Sequence, residues 1–155
     1  MMKNTMARAL LDLAPWIFIA WVGAMQLRDF VHEVVPASAW MDLHGVTVSD
    51  STVGEPIFIT VTRTISKPFH ARWIATVRRM TDAGLEHSCS ATGENEYRNE
   101  SVLPDPLTLD WWTFPIKCDL QPGKYRLDTS WLIEVPGYPI KSVTAQSNVF
   151  EVRAP

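Results

Sequence analysis

The stretch "KCDLQPGKYRLDTSWLIEV", Lys117 to Val135, sets a cysteine, a Pro-Gly turn and an alternating apolar run side by side. Successive side chains along a strand point to opposite faces, so a two-residue period marks a half-buried strand. Tyr125, Leu127, Thr129, Trp131 and Ile133 share one parity, with Lys124, Arg126, Asp128 and Ser130 on the other. That pattern predicts a strand whose odd-numbered residues enter a core. "QPGK" predicts the turn before it, with Cys118 and Leu120 facing inward on the strand that enters the turn. The whole reads as a β-hairpin held by a disulfide.

Working outward, the same period recurs between Gly, Pro and Asp punctuation. "MDLHGVTVS" (41–49) is a first strand broken at Gly45, followed by the turn-rich "DSTVGEP". "IFITVTRTI" (57–65) puts Ile57, Ile59 and Val61 inward against Thr60, Thr62 and Thr64. "ARWIATVRRM" (71–80) does the same with Trp73, Ala75 and Val77, and "TDAG" turns the chain. "LEHSCSA" (85–91) points Leu85 and Cys89 to one face. "TGENEYRNESVLPDP" (92–106) is polar, acidic and proline-punctuated, which predicts a long connection or a weak edge strand. "LTLDWWTFPIKCDL" (107–120) resumes extended structure, "VPGYP" turns again, and "KSVTAQSNVFEV" (141–152) closes with one or two strands. The expected fold class is all-β, an antiparallel sandwich of about seven to nine strands with no helix beyond the N-terminal segment.

Length and composition agree with one such domain plus a small appendage. The 155 residues are 46% apolar and 20% charged, enough for a core and not for two comfortable domains. Seven Trp and eleven Pro favour short strands joined by turns over helices. A net charge of −3 gives no polyanion-binding surface, which excludes nucleic acid as the expected partner.

The N-terminal segment reads as an address. "ALLDLAPWIFIAWVGAMQL" (9–27) carries Asp12 as its one charge, with Lys3 and Arg8 before it. A helix of that length rises about 28 Å, close to the roughly 30 Å of a bilayer core. A retained transmembrane signal-anchor is one reading; a signal peptide cleaved after Ala24, with Val22 at the −3 position, is another. Either exports the rest of the chain, and a helix of the domain itself is a third alternative. The expected organisation is 1–27 anchor, 28–39 juxtamembrane stalk ended by Pro36, and 40–155 extracytoplasmic sandwich. Cys89 and Cys118, an even count in an exported chain, favour a structural disulfide over two buried thiols.

The pairing of "LQPGKYRLDTSW" with the terminal "SNVFEV" resembles the last three strands of bacterial immunoglobulin-like and fibronectin-III-like sandwiches. Over Trp40 to Val152 the resemblance implies that the Tyr125 hydroxyl ties back to the backbone before it, and that Trp73 is the central core tryptophan. The cysteines depart from it, since the antibody-type bridge joins the second and sixth strands. A short anchor with one exported β-domain is also similar to the small membrane-anchored proteins that phages and prophages encode.

Two residue groups stand out as candidates for function. Tyr97, Trp111, Trp112 and Phe114 offer an aromatic platform, since adjacent strand residues Trp111 and Trp112 face opposite ways; the alternative is that both are packed. Arg63, Lys67, Arg72, Arg78 and Arg79 form a run of cations without an acid, followed by seven acids from Asp82 to Asp110. They either gather into a basic patch or pair with acids across strands. Glu94, Glu96 and Glu100 lack the burial that acid–base catalysis needs, and the four histidines show no metal-ligand spacing. The expectation is a binding module anchored in the inner membrane, or secreted if cleaved, with a periplasmic domain, a protein partner in an envelope or virion, and no cofactor, metal or catalysis. A structural subunit of an assembly and an envelope hydrolase using the acidic 94–110 segment are the alternatives.

Overall fold

The computed structural model describes residues 3–104, 106–112 and 118–155, with side chains from Pro15 onward except at 28, 29 and 31. The chain forms two compact units, Met1–Val35 with Gly137–Pro139, and Pro36–Pro136 with Ile140–Pro155. The first unit is built on helix α1, Lys3–Val34, in which Pro15 lies in the interior and not in the first turn. Among the described residues no helix is long and apolar enough to cross a membrane, so the transmembrane-anchor expectation gains no support from them. The uncharged run Leu13 to Leu27 is fifteen residues and ends at Arg28 and Asp29. It rises about 22 Å, against about 28 Å for the whole 9–27 segment.

The second unit is a β-rich, sandwich-like fold compatible with the immunoglobulin-like class. One sheet has the order β1–β3–β6, from Met41–Val48, Phe58–Ile65 and Leu107–Thr108. The other has the order β2–β9–β7–β4–β5, from Ser51–Thr52, Phe150–Arg153, Gly123–Glu134, Phe69–Thr81 and Gly84–Tyr97. Strand β8, Lys141–Gln146, pairs the same edge of β7 as β9 does, further along. The gap between β8 and β9 is bridged by Ser147. Its N–H donates to the Leu127 carbonyl at 2.8 Å and its Oγ accepts from the Leu127 N–H at 3.0 Å, so the β7 ladder runs on without an orphaned group.

Parity set by the sequence is obeyed where it is strongest. Tyr125, Leu127, Thr129, Trp131 and Ile133 are all buried, and the residues between them are not. In β1 the expected break is a bulge between Leu43 and Gly45. Burial of these large side chains supplies the main stabilising term, at about 1.5 to 3 kcal/mol for each fully buried apolar residue. The expected tie of Tyr125 is present. Its hydroxyl donates to the Gln121 carbonyl at 2.7 Å, fixing the corner before β7 at a net contribution of about 1 kcal/mol.

Cys89 and Cys118 form a disulfide with Cα atoms 5.7 Å apart, inside the range such a bridge needs. It is not the staple of a hairpin, because residues 118–120 are irregular; it ties edge strand β5 to the chain entering the Tyr125 corner. One open alternative is decided and two expectations are corrected. Of the two alternatives for Thr92 to Tyr97, the edge strand is the one formed, because β4 is long enough to pair through Phe69 with Tyr97. Leu85 and Cys89 do not share a face. The ladder slips beside Arg78, inverting parity between them, so Cys89 is buried while Leu85 is exposed. After β6 the chain makes a helical turn, α2 (Leu109–Trp112), where extended structure and no helix were expected.

Candidate functional site

A cavity of about 720 Å³ opens at one end of the sandwich, where β3, β4, β5 and β7 meet α2. It is in the size range of small-molecule sites, roughly 300 to 1,000 Å³. Its wall is built by register. Trp73 on β4 stands opposite Gly93 on β5 and opposite Trp131 on β7, so three strands contribute one row. Gly93 is required there because a Cβ would lie 2.5 Å from the Trp73 ring. Gly93→Ala is expected to displace the indole into the cavity and cost about 1 to 3 kcal/mol, measured as urea stability together with a shifted tryptophan emission.

α2 brings the next aromatic into the row. Thr108 Oγ1 accepts the Trp111 N–H at 3.3 Å, and the Leu109 N–H donates to the Ile57 carbonyl at 2.8 Å, which fixes the turn to β3's end. The turn buries Trp112 and leaves Trp111 55% exposed at the mouth. Trp112 lies 6.5 Å from Trp73 and 5.9 Å from Trp131, ring centre to ring centre, within the span where aromatic pairs attract. Trp131 Nε1–H donates to Tyr97 Oη at 3.3 Å, and Tyr97 stacks on Phe69 at 4.9 Å. Val102 and Leu103 complete the apolar lining, and Asn95, Glu96 and Ser101 the polar part.

The cation of the site is Arg63. Inward parity on β3, shared with Ile59 and Val61, carries it to the face between the sheets. Its guanidinium carbon lies 5.0 Å from the centre of the Tyr97 ring, a cation–π contact. Burial pushes the guanidinium below its ordinary pKa, while Tyr97 acts in the opposite direction through charge and hydrogen bonding. An arginine so placed stays charged at neutral pH.

The two residue groups singled out in the sequence are therefore redistributed. Tyr97, Trp111 and Trp112 do come together, though Tyr97 is buried and Trp111 and Trp112 sit on a helical turn; Phe114 lies outside the described residues. Trp73 is half-buried in the cavity wall, and the central core tryptophan is Trp131, 1% exposed. Of the five cations, Arg63 lines the cavity and the other four do not. Arg72 pairs with Glu134 at 2.7 Å, and Arg79 Nη2 donates to the Pro122 carbonyl at 3.0 Å. Arg78 Nε meets Asp128 Oδ2 at 2.9 Å as a charge contact whose N–H is not aligned for a hydrogen bond. Lys67 is exposed in the turn between β3 and β4. The acids on which Arg72 and Arg78 close are on β7, not in the segment from 82 to 110. Glu94 and Glu96 are solvated beside His70, the latter 3.0 Å from its Nδ1. Among the described residues no group of three or more His, Cys, Asp or Glu side chains is placed to hold a metal.

Sequence reasoning missed Arg63, Trp73 and Trp131 as residues of this cavity. Parity gave the signal for Arg63, since a charged residue at an inward position of a strand needs a partner or a function. No protein-family model matches the chain, and comparisons with curated proteins and with solved structures find no match, so a bacterial or phage kinship gains no support.

Proposed function

We propose that the domain is an extracytoplasmic binding module whose site is the aromatic cavity at the end of the sandwich. The carrying observation is the convergence of Trp73, Trp111, Trp112 and Trp131 around about 720 Å³ of open volume. A protein at its stability optimum would fill such a space; packed interiors leave few voids larger than a water molecule. Large flat rings at a half-open site supply contact area at low entropic cost, which suits them to ligand capture. The disulfide supports the compartment, since such bridges persist where the surroundings are oxidising.

The test is a thermal-shift screen of small molecules on wild type and on Trp111→Ala. Trp111 is at the surface, so its removal is expected to change the unligated stability by no more than about 0.5 kcal/mol. Ligands that raise the Tm of wild type should lose most of that shift in the variant, by the loss of one aromatic contact of about 1 to 2 kcal/mol. Shifts that persist unchanged in Trp111→Ala would place binding elsewhere.

A further inference from the structure

We propose that the cavity takes a small organic anion, a carboxylate carried on a flat aromatic body, with the carboxylate on Arg63 and the body among the tryptophans. The inference rests on the binding function proposed for this cavity and names its ligand class. Arg63 is half-buried, unlike the exposed Arg79 and Arg98, which also meet no carboxylate among the described residues. Arg72, Arg78, Arg126 and Arg153 each lie within ion-pair distance of a carboxylate. Among the described residues no such contact reaches Arg63. A half-buried cation without a counter-ion carries a desolvation cost that a ligand anion would offset.

Geometry decides which part of the guanidinium is free. Tyr97 lies 5.0 Å from the guanidinium carbon, ring centre to carbon, and takes the charge through its π face. The π contact and the hydrogen bond to Tyr97 use only part of the five guanidinium N–H groups, and the planar fork that is left matches a carboxylate with two parallel hydrogen bonds. Glu96 also lines the cavity, but its Oε1 is held 3.0 Å from His70 Nδ1 and its side chain is 71% exposed, so it does not occupy the fork. The remaining wall is mostly indole and aliphatic, with Trp112 buried between Trp73 and Trp131. That surface suits a flat ring and gives a multiply hydroxylated ligand few partners.

The experiment is calorimetric titration of the full chain with 2-naphthoate, its neutral isostere 2-naphthamide, and 2-naphthyl phosphate. The carboxylate is expected to bind at least about ten-fold tighter than the amide, because a charge-assisted bidentate pair replaces a neutral contact. Arg63→Met should abolish that preference, lowering carboxylate affinity far more than amide affinity. Arg63→Lys should keep only part of it, since a point charge lacks the fork. Equal affinity of acid and amide for wild type would overturn the anion inference and leave the cavity reading standing. No binding of any probe would overturn both. Tighter binding of the phosphate than of the carboxylate would reject the carboxylate assignment in favour of a phosphate ester. Circular dichroism establishes that Arg63→Met is folded; if it is not, the Lys variant decides, and a full preference retained there overturns the role given to the fork.

Discussion

Replacing Trp131 with alanine is expected to lower the unfolding free energy by about 3 to 5 kcal/mol, the usual cost of deleting a large buried aromatic. The position explains the size. Trp131 is 1% exposed and sits on β7, between β4 and β8, so no edge can relax to fill the space it leaves. Its ring touches Trp112, and its Nε1–H is the donor to Tyr97 Oη. Against a typical domain stability of about 5 to 15 kcal/mol, the variant would be marginal. Trp131→Phe separates the two contributions. It keeps most of the ring and loses the N–H, and should cost about 1 to 2 kcal/mol, with the remainder traceable to volume. Urea unfolding of the three proteins measures this, with the midpoint falling and the slope unchanged. A cost below about 1 kcal/mol for alanine would mean that the space around this indole collapses freely, and that the cavity wall has no fixed shape.

Much of this arrangement is legible in the chain, and the limits have physical causes. Alternation reads correctly wherever a strand is paired on both sides, as in β7, because a one-residue slip there would invert every buried side chain. It fails at β5, an edge strand. A slip of the ladder opposite Val77 and Arg78 reverses parity, and nothing in "LEHSCSA" announces it. Polarity alone leaves Thr92 to Glu96 open between a connection and a weak edge strand. An edge strand is allowed that composition, and charge on it discourages pairing with other chains. "DWWTF" is recognisable as an aromatic site, with one Trp inward and one outward, yet for a strand-based reason. The helical turn capped by Thr108 gives the same split through different geometry. What no local pattern can supply is convergence. Trp73, Trp112 and Trp131 come from positions up to 58 residues apart, and only the pairing of β4 with β7 and the placement of α2 bring them together.

Removing the disulfide by the double substitution Cys89→Ala with Cys118→Ala is expected to lower stability by about 3 to 4 kcal/mol without changing the fold. The bridge closes a loop with a sequence separation of 29, and most of its contribution lies in restricting the unfolded chain. Both residues are 9% exposed and small, so alanine leaves little void, and the native contacts of β4 with β7 do not pass through them. This loss should therefore differ in kind from that of Trp131→Ala. An unfolded chain freed of its crosslink exposes more surface, so the urea slope should rise while the midpoint falls. Wild type in reducing buffer should reproduce both changes. The site should feel the bridge as well, because Cys118 follows Trp112 by only six positions and is itself tied to edge strand β5. Affinity for any cavity ligand should then fall on reduction at temperatures where the domain is still folded, since a less restricted α2 loses more entropy in presenting Trp111 and Trp112. Unchanged stability on reduction would show that the unfolded chain already keeps this loop closed; unchanged affinity would show that the contacts of α2 with β3 suffice to hold the aromatic row.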